Sequence, residues 1–242
     1  MHTITVDGMQ RTYRLYRPAG LAPQAPLVVV LHAAFANLIN VEQTSRFDRQ
    51  ADAGRFAVTY PEGIGKTWNA HGCCGSAFND GIDDVGFITA MVEEIPGVDR
   101  RRVYATGYSN GGVMAYTLAC TTDLFAAIGP MAATQFDRCT DPKPTSVMHI
   151  HGLADDVVRF NGTPKSDLIQ TEGPPVPDVI AFWRRVDSCA PPVVTDNGPL
   201  TISGAKCPDN REVVLVTLDD LGHQWPDGAA ARLWQFFERH PG

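Results

Sequence analysis

Short apolar runs alternate with segments of helical periodicity along most of the chain. Residues 26–31 (PLVVVL) form a continuous run rich in β-branched side chains, which is typical of a strand buried on both faces. Residues 12–16 alternate between polar and apolar positions, as an antiparallel edge strand does. Further strands are predicted at residues 56–60, 102–106, 126–131, 147–150 and 213–218.

Residues 81–95 carry apolar side chains at helical spacing, and Pro96-Gly97 ends the pattern. Other helices are predicted at residues 45–53, 110–119, 177–186 and 229–239. Strands that alternate with helices predict an open, mostly parallel sheet with helices on both faces. Because the sequence has no internal repeat and no linker between domains, we expect residues 1–242 to form one domain.

Composition and charge narrow the classes of function. With 44% hydrophobic and 19% charged residues, the chain is too apolar for a disordered protein. Its formal net charge of −7 provides no basic surface for nucleic acid or for an anionic membrane. The apolar run at residues 26–39 is interrupted by His32 and Asn37 and is shorter than the ~20 residues of a transmembrane helix. We therefore expect neither nucleic acid nor a membrane as a partner.

The cysteines bear on where the protein works. The first ten residues lack the basic region and apolar stretch of a signal peptide, so the protein is either cytosolic or exported by a signal outside this chain. An even set of cysteines favours export, although buried free thiols are the alternative. The set consists of Cys73, Cys74, Cys120, Cys139, Cys189 and Cys207.

Two pairing hypotheses follow for these cysteines. Cys189 and Cys207 flank a polar, proline-rich stretch without an obvious regular structure, and a disulfide that closes this loop is the best-supported pair. Adjacent cysteines do not easily bond to each other. We therefore expect Cys73 and Cys74 to reach Cys120 and Cys139 and to fix the glycine-rich loop at residues 61–81.

The strongest chemical signal is a G-x-S-x-G sequence, Gly107-Tyr108-Ser109-Asn110-Gly111, between a predicted strand and a predicted helix. A tight strand-to-helix turn holds a serine in a strained conformation and requires small flanking residues. It also directs the hydroxyl to the positive end of the following helix. Ser109 is thus the candidate nucleophile; the alternative is an ordinary capping serine at a glycine-rich turn.

A serine hydroxyl needs a base, and the base needs an acid that orients it. Asp155 follows the strand at 147–150, and His223 follows the strand at 213–218, in the chain order that this architecture uses. We assign His223 as the base and Asp155 as its partner. Asp156 is the alternative acid, although on an extended loop it would face the other way. His149 and His151 are expected to be hydrogen-bonded structural residues.

Attack on a carbonyl also requires N–H donors for the developing oxyanion. One donor is expected to be the backbone N–H of Asn110, which follows the nucleophile. The other is expected in the loop after the strand at 26–31, at Ala34, with Phe35 as the alternative.

Several motifs beyond G-x-S-x-G resemble the α/β-hydrolase esterases grouped with polyhydroxybutyrate depolymerases and feruloyl esterases, over nearly the whole chain. The matching stretches are Trp68-Asn69-Ala70, Cys73-Cys74-Gly75, Asp83-Asp84-Val85-Gly86-Phe87, Arg102-Val103-Tyr104-Ala105-Thr106-Gly107, Ser109-Asn110-Gly111-Gly112, His151-Gly152 with Asp155, and Gly222-His223-Gln224-Trp225-Pro226.

The resemblance implies an α/β-hydrolase fold with a predominantly parallel central sheet, helices on both faces and no large cap domain. It also implies a secreted serine esterase with a triad of Ser109, Asp155 and His223, and it favours the Cys189–Cys207 disulfide. The expected substrates are hydroxyalkanoate (polyhydroxybutyrate-type) or feruloyl and cinnamoyl esters. An acyltransferase, an esterase for aromatic polyesters or acetylated sugars, and a non-enzymatic binding protein are alternatives. We expect a monomer that needs no cofactor.

Four aromatic residues are candidates for substrate contacts, with core packing as the alternative for the tryptophans: Trp68, Trp225, Phe35 and Tyr108. One departure concerns the oxyanion loop, where family members usually carry His-Gly and Ala33 follows His32 here. If that position needs a positive φ, alanine would be strained. Asp83 and Asp84 are expected to favour a helix start through the helix dipole, so no metal site is predicted.

Overall fold

In the computed structural model, which describes residues 1–136, 138–167 and 169–242, the described residues form one ten-stranded sheet. The strand order is β1-β2-β4-β3-β5-β6-β7-β10-β9-β8. The strands are β1 (His2–Val6), β2 (Met9–Tyr16), β3 (Ala25–Leu31), β4 (Ala57–Pro61), β5 (Val98–Tyr108), β6 (Ala127–Met131), β7 (Ser146–Gly152), β8 (Val193–Asp196), β9 (Leu200–Lys206) and β10 (Glu212–Leu218). From β4 to β10 in this order, neighbouring strands run parallel, and antiparallel pairs close both edges.

Helices cover both faces of this sheet. Among the described residues they are α1 (Leu38–Ser45), α2 (Phe47–Gly54), α3 (Gly75–Asn79), α4 (Asp84–Glu94), α5 (Asn110–Thr121), α6 (Val176–Val186) and α7 (Ala229–Phe237), with a 3₁₀ turn at Ile64–Lys66. Helices α4, α5 and α6 contribute to one apolar cluster, and α1, α2 and α7 contribute to another on the opposite face. The architecture is that of an α/β-hydrolase, so the predicted fold class is confirmed.

The alternation of side chains along β3 explains why its sequence is apolar throughout. Leu27 and Val29 belong to the cluster with α4 and α5, whereas Val28 and Val30 belong to the cluster with α1, α2 and α7. All four side chains are fully buried. A central strand with helices on both faces has no solvent-facing side, and its period-two pattern disappears. The functional loops begin where such strands end.

The predicted strands and helices correspond to observed elements, with two notable differences. The helix expected at 45–53 corresponds to α2 alone, because Arg46 adopts a left-handed conformation with φ 57° and separates α2 from α1, which the sequence pattern does not predict. The stretch between Cys189 and Cys207, expected to be irregular, contains the hairpin β8–β9. Val193 and Val194 of this hairpin are both exposed at the sheet edge, so the sequence there shows no alternation of buried apolar and exposed polar residues.

The disulfides agree with one pairing hypothesis and contradict the other. Cys189 and Cys207 are bonded, as expected. The hypothesis that joined Cys73 and Cys74 to Cys120 and Cys139 is wrong. Its cysteines lie in two separate places. Cys120, near the end of α5, bonds to Cys139 across a Cα–Cα distance of 5.2 Å. The adjacent pair Cys73–Cys74 is bonded to itself and packs against Ile169.

In the part of the chain that the structure describes, no helix has both the length and the apolarity needed to cross a membrane.

The two bridges that close longer loops are Cys120–Cys139 and Cys189–Cys207. Both pack against the cluster on the α4–α5–α6 face of the sheet.

The double substitution Cys189→Ser/Cys207→Ser is expected to lower the free energy of unfolding by about 3 kcal/mol, because it frees a loop with a sequence separation of 18 in the unfolded chain. Urea unfolding followed by circular dichroism measures this loss. Cys120→Ser/Cys139→Ser is the matched control, since its separation of 19 predicts a similar loss. A loss below about 0.5 kcal/mol in both variants would contradict the loop-closure argument.

Candidate active site

The turn between β5 and α5 holds Ser109 in an unusual backbone conformation, with φ 56° and ψ −124°. A Cβ atom at Gly107 would overlap the Gly111 carbonyl, and one at Gly111 would overlap the Leu31 carbonyl oxygen. The two glycines therefore permit the close approach of α5 to β3 and β5 that such a turn requires. The backbone N–H of Ser109 donates to the Met131 carbonyl at 3.0 Å, which fixes the turn to β6.

Ser109, His223 and Asp155 lie in one hydrogen-bonded chain. His223 Nε2 is 2.9 Å from Ser109 Oγ, and His223 Nδ1 is 2.8 Å from Asp155 Oδ2. An ionised carboxylate only accepts hydrogen bonds, so Nδ1–H donates to Asp155 and the bare Nε2 accepts the Ser109 hydroxyl proton. Strands β7 and β10 are parallel neighbours, which brings the loops of Asp155 and His223 together.

Asp155 is held by its own loop as well as by His223. Its Oδ1 accepts the backbone N–H groups of Val157 and Val158 at 3.0 and 2.8 Å. The carboxylate is fully buried, whereas the neighbouring Asp156 is exposed. This orientation makes Asp155, rather than Asp156, the acid that contacts the imidazole.

Tyr108 supports the histidine from the other side. Its hydroxyl donates to the His223 carbonyl oxygen at 2.6 Å. Burial, followed by the charge of Asp155, raises the pKa of Tyr108, so the phenol stays protonated and remains a donor. Tyr108 therefore positions the loop that carries the imidazole.

Neither the backbone N–H of Ala34 nor that of Asn110 has a hydrogen-bond acceptor among the residues that the structure describes. Asn110 is the first residue of α5, where backbone N–H groups lack an intrahelical partner. The alternative prediction, that Phe35 is the donor, is wrong, because the Phe35 N–H already donates to the Lys66 carbonyl at 2.8 Å. The positive φ in this loop also lies at Phe35, with φ 63°, and not at Ala33. The concern about alanine at that position is therefore removed.

His32 fixes the loop that carries Ala34. Its Nε2 accepts the Gly63 N–H at 2.9 Å, so its proton resides on Nδ1, which donates to the Ala33 carbonyl at 2.8 Å. Burial lowers the pKa of His32 to about 4 and keeps the ring neutral. This role was not predicted from the sequence, although a histidine directly after a buried strand is a usable signal.

Trp68 is fully buried, so the expectation that it contacts the substrate is wrong. Its indole N–H donates to the His32 carbonyl at 2.9 Å. Its backbone N–H donates to the Asn110 side-chain oxygen at 2.7 Å, and the Asn110 amide donates back to the Trp68 carbonyl at 3.1 Å. Trp68 thus joins the two loops that bear the free N–H groups.

The other aromatic candidates lie at the surface of the site. Trp225 and Tyr108 line a cavity of about 270 Å³ together with His223 and Val41. Phe47 packs edge-on against Trp225, with ring centroids 6.4 Å apart, and limits where the indole can lie. The side chain of Phe35 is 63% exposed on the loop after β3.

The paired carboxylates Asp83 and Asp84 differ in their roles. Asp83 accepts the Gly86 N–H at 2.8 Å at the start of α4, as a helix cap. Asp84 is buried and pairs with the buried guanidinium of Arg11. Its second oxygen accepts the Asn69 N–H at 2.7 Å, which anchors the loop next to Trp68.

Comparison with known proteins identifies the family of this chain. The sequence model of the family described as Esterase PHB depolymerase matches residues 11–171. The chain belongs to this family. It is 32% identical over 253 residues to the putative esterase NocK of Nocardia uniformis subsp. tsuyamanensis, covering 93% of this chain and 73% of NocK. It is 28% identical over 238 residues to feruloyl esterase B of Piromyces equi, covering 89% of this chain but 42% of that protein.

Solved structures share the fold at low sequence identity. Acetyl xylan esterase from Aspergillus awamori superimposes with a TM-score of 0.69 at 16% identity, covering 94% of this chain and 93% of that one. Est1E from Butyrivibrio proteoclasticus, with ferulic acid bound, gives a TM-score of 0.62 at 14% identity and covers 99% of each chain. Family and relatives together make this protein a carboxylic-ester hydrolase.

Acid is expected to destabilise the protein through His32. The folded-state pKa of about 4 lies below the ordinary value of 6.5, so between these values the unfolded chain binds a proton that the folded chain does not. The stabilisation is complete above pH 6.5 and is lost as the pH falls towards 4, by up to about 3 kcal/mol. Urea unfolding across this pH range measures the slope.

The variant His32→Gln isolates this contribution from those of other buried histidines. Its free energy of unfolding should fall less steeply with acid than that of the wild type. The difference in slope should correspond to about one fewer proton taken up on unfolding. Equal slopes for the two proteins would mean that His32 is not the group that titrates.

Proposed function

We propose that the protein is a secreted serine esterase in which Ser109 is the nucleophile, His223 the general base and Asp155 its orienting acid. The observation that carries this proposal is the hydrogen-bonded chain from Ser109 Oγ through both imidazole nitrogens to Asp155 Oδ2, with distances of 2.9 and 2.8 Å. The strained turn at Ser109 supports it, since non-glycine residues with positive φ are concentrated at functional sites.

The chemistry follows from these positions. As Ser109 Oγ attacks the ester carbonyl, its proton passes to His223 Nε2, and the imidazolium is stabilised by Asp155. The carbonyl oxygen becomes an oxyanion that the N–H groups of Asn110 and Ala34 bind. His223 then gives the proton to the leaving alcohol. A water molecule attacks the acyl-enzyme by the same route in reverse, releasing the acid and restoring Ser109.

The proposed substrates are hydroxyalkanoate esters of the polyhydroxybutyrate type or feruloyl and cinnamoyl esters. Support comes from the cavity beside His223, whose volume of about 270 Å³ suits a group of modest size. The indole of Trp225 forms part of its wall, and Tyr108 lies next to His223. An aromatic wall stacks on a flat acyl group or packs against an aliphatic one. The exposed side chain of Phe35 is a further candidate contact, because it lies on the same loop as Ala33 and Ala36 of the cavity wall.

Export is supported by the cystines. Disulfides form and persist mainly in oxidising compartments, and the bridges Cys120–Cys139 and Cys189–Cys207 join residues far apart in sequence.

The variant Ser109→Ala is expected to lower kcat on p-nitrophenyl acetate by about 10⁴- to 10⁶-fold, because the acyl-enzyme can no longer form. Steady-state hydrolysis measures the loss. A fluorophosphonate probe should label wild-type Ser109 and leave the variant unlabelled, as mass spectrometry of the tryptic peptide would show. A variant that keeps most of its activity would eliminate Ser109 as the nucleophile.

The variant Trp225→Ala is expected to change selectivity. Loss of the indole wall should lower kcat/KM for methyl ferulate relative to p-nitrophenyl acetate by about 10-fold, or ~1.4 kcal/mol. Hydroxybutyrate oligomers are tested in parallel to separate the two substrate classes. Trp225→Phe retains an aromatic wall and should recover most of the ratio. An unchanged ratio in both variants would remove Trp225 from the substrate site.

A further inference from the structure

A second chain of hydrogen bonds lies behind Asp155, inside the protein. The hydroxyl of Tyr116 is 2.7 Å from His149 Nδ1, and His149 Nε2 is 2.9 Å from His151 Nδ1. His151 Nε2 is 2.8 Å from the Val158 carbonyl oxygen. All three side chains are buried, and the two histidines share one face of β7 at positions i and i+2.

The carbonyl at one end determines the direction of every bond in this chain. A carbonyl only accepts, so His151 Nε2 must carry a proton that it donates to Val158. In a neutral ring Nδ1 is then bare and accepts the Nε2–H of His149. The bare Nδ1 of His149 accepts the hydroxyl proton of Tyr116 in turn. Three donors therefore point in series towards the turn that carries Asp155.

Burial keeps each member of the chain uncharged. It lowers the pKa of His149, and the neighbouring His151 lowers it further. Burial also lowers the pKa of His151, a shift opposed by the hydrogen bond to Val158 and by Asp155 and reinforced by His223. The pKa of Tyr116 is raised by burial, so its hydroxyl remains a donor.

The end of this chain is in contact with the candidate acid. His151 Nε2 lies 3.7 Å from Asp155 Oδ2, the same oxygen that accepts from His223. This distance exceeds that of a good hydrogen bond but leaves the positive end of the N–H dipole beside the carboxylate. The backbone of Val158 links the two side chains, because its N–H donates to Asp155 and its carbonyl accepts from His151.

We propose that Tyr116, His149 and His151 are positioning residues that fix the carboxylate of Asp155 and reduce the negative charge that it presents to His223. The inference depends on the proposed function only in taking Asp155 and His223 as the acid and base. None of the three residues lines the cavity beside His223 or hydrogen-bonds to Ser109 Oγ, and they act through the 155–158 turn.

The pH profile distinguishes this role from simple packing. Without the N–H dipole of His151, Asp155 Oδ2 becomes more negative and stabilises the imidazolium form of His223 more strongly. The base is then protonated at a higher pH, so the acid limb of the kcat/KM profile moves to higher pH. The titratable groups that face His151 are Asp155 and His223 from the two loops and His149 from its own strand.

The test uses His151→Leu, which removes both hydrogen bonds, and His151→Gln, whose amide keeps a donor towards Val158. His151→Leu should lower kcat for p-nitrophenyl acetate by about 10- to 100-fold, since small displacements of a catalytic group have effects of this size, while KM changes little. Its acid limb should move to higher pH. His151→Gln should restore most of kcat and the original limb.

Tyr116→Phe covers the case in which His151→Leu fails to fold. It removes only one hydroxyl, so His149 Nδ1 loses its donor while the ring packing remains. A smaller shift of the acid limb in the same direction is expected. In ¹⁵N spectra of the wild type, both histidines should be neutral Nε2–H tautomers.

The proposal is overturned if the acid limb of His151→Leu, or of Tyr116→Phe where the former does not fold, coincides with that of the wild type. It is also overturned if the loss falls on KM or if either histidine is an Nδ1–H tautomer. These failures differ from failure of the proposed function, in which Ser109→Ala remains active.

Discussion

The close approach of helix α5 to strands β3 and β5 is the constraint on which the site depends. Gly107 and Gly111 have no room for a Cβ atom, because each faces a backbone carbonyl at the crossing point. This packing forces the chain to reverse within one residue, and Ser109 takes the positive φ. The start of α5 then lies against the Leu31 and His32 carbonyls, and this proximity supports the proposal that the N–H groups of Asn110 and Ala34 bind one oxyanion. The backbone strain at Ser109 and the position of the proposed donors therefore have the same structural cause.

Strain of this kind persists only where the surrounding structure over-determines it. Here the loops around Ser109 are held by hydrogen bonds between buried polar groups, and in each bond the donor and the acceptor are defined. His32 accepts from Gly63 and donates to Ala33, and Asn110 exchanges hydrogen bonds with Trp68. A buried polar group without its partner is costly, so each of these bonds excludes alternative loop conformations.

Much of the fold and the centre of the site could be predicted because they depend on local signals. The continuous apolar run of β3 requires burial on both faces, and the sequence around Ser109 requires a tight turn. The parallel sheet then brings the residues after β7 and β10, Asp155 and His223, to the same edge. None of these steps needs knowledge of a side-chain rotamer.

The wrong predictions concern features that depend on tertiary context. Trp68 is an aromatic residue on a long loop, as many substrate-binding residues are, but its indole N–H donates a hydrogen bond to the His32 carbonyl inside the protein. The pairing of Cys120 with Cys139 depends on where α5 ends relative to a distant loop. Hairpin β8–β9 lies at an exposed edge, where hydrogen bonding to β10 rather than burial decides its structure. Sequence periodicity contains no information about any of these contacts.

Helix α1 shows where this limit affects function. It is short and polar, its cap is the single bond from Asn40 N–H to Asn37, and the sequence pattern does not predict it. Yet Val41 and Thr44 from this helix line the same cavity as Trp225. The proposed triad therefore lies next to the segments that the sequence pattern describes best, whereas part of the cavity beside it is lined by a helix that the pattern does not predict. Loops and short helices at a strand's carboxyl end can vary without disturbing the sheet, and this freedom allows one scaffold to accept many esters.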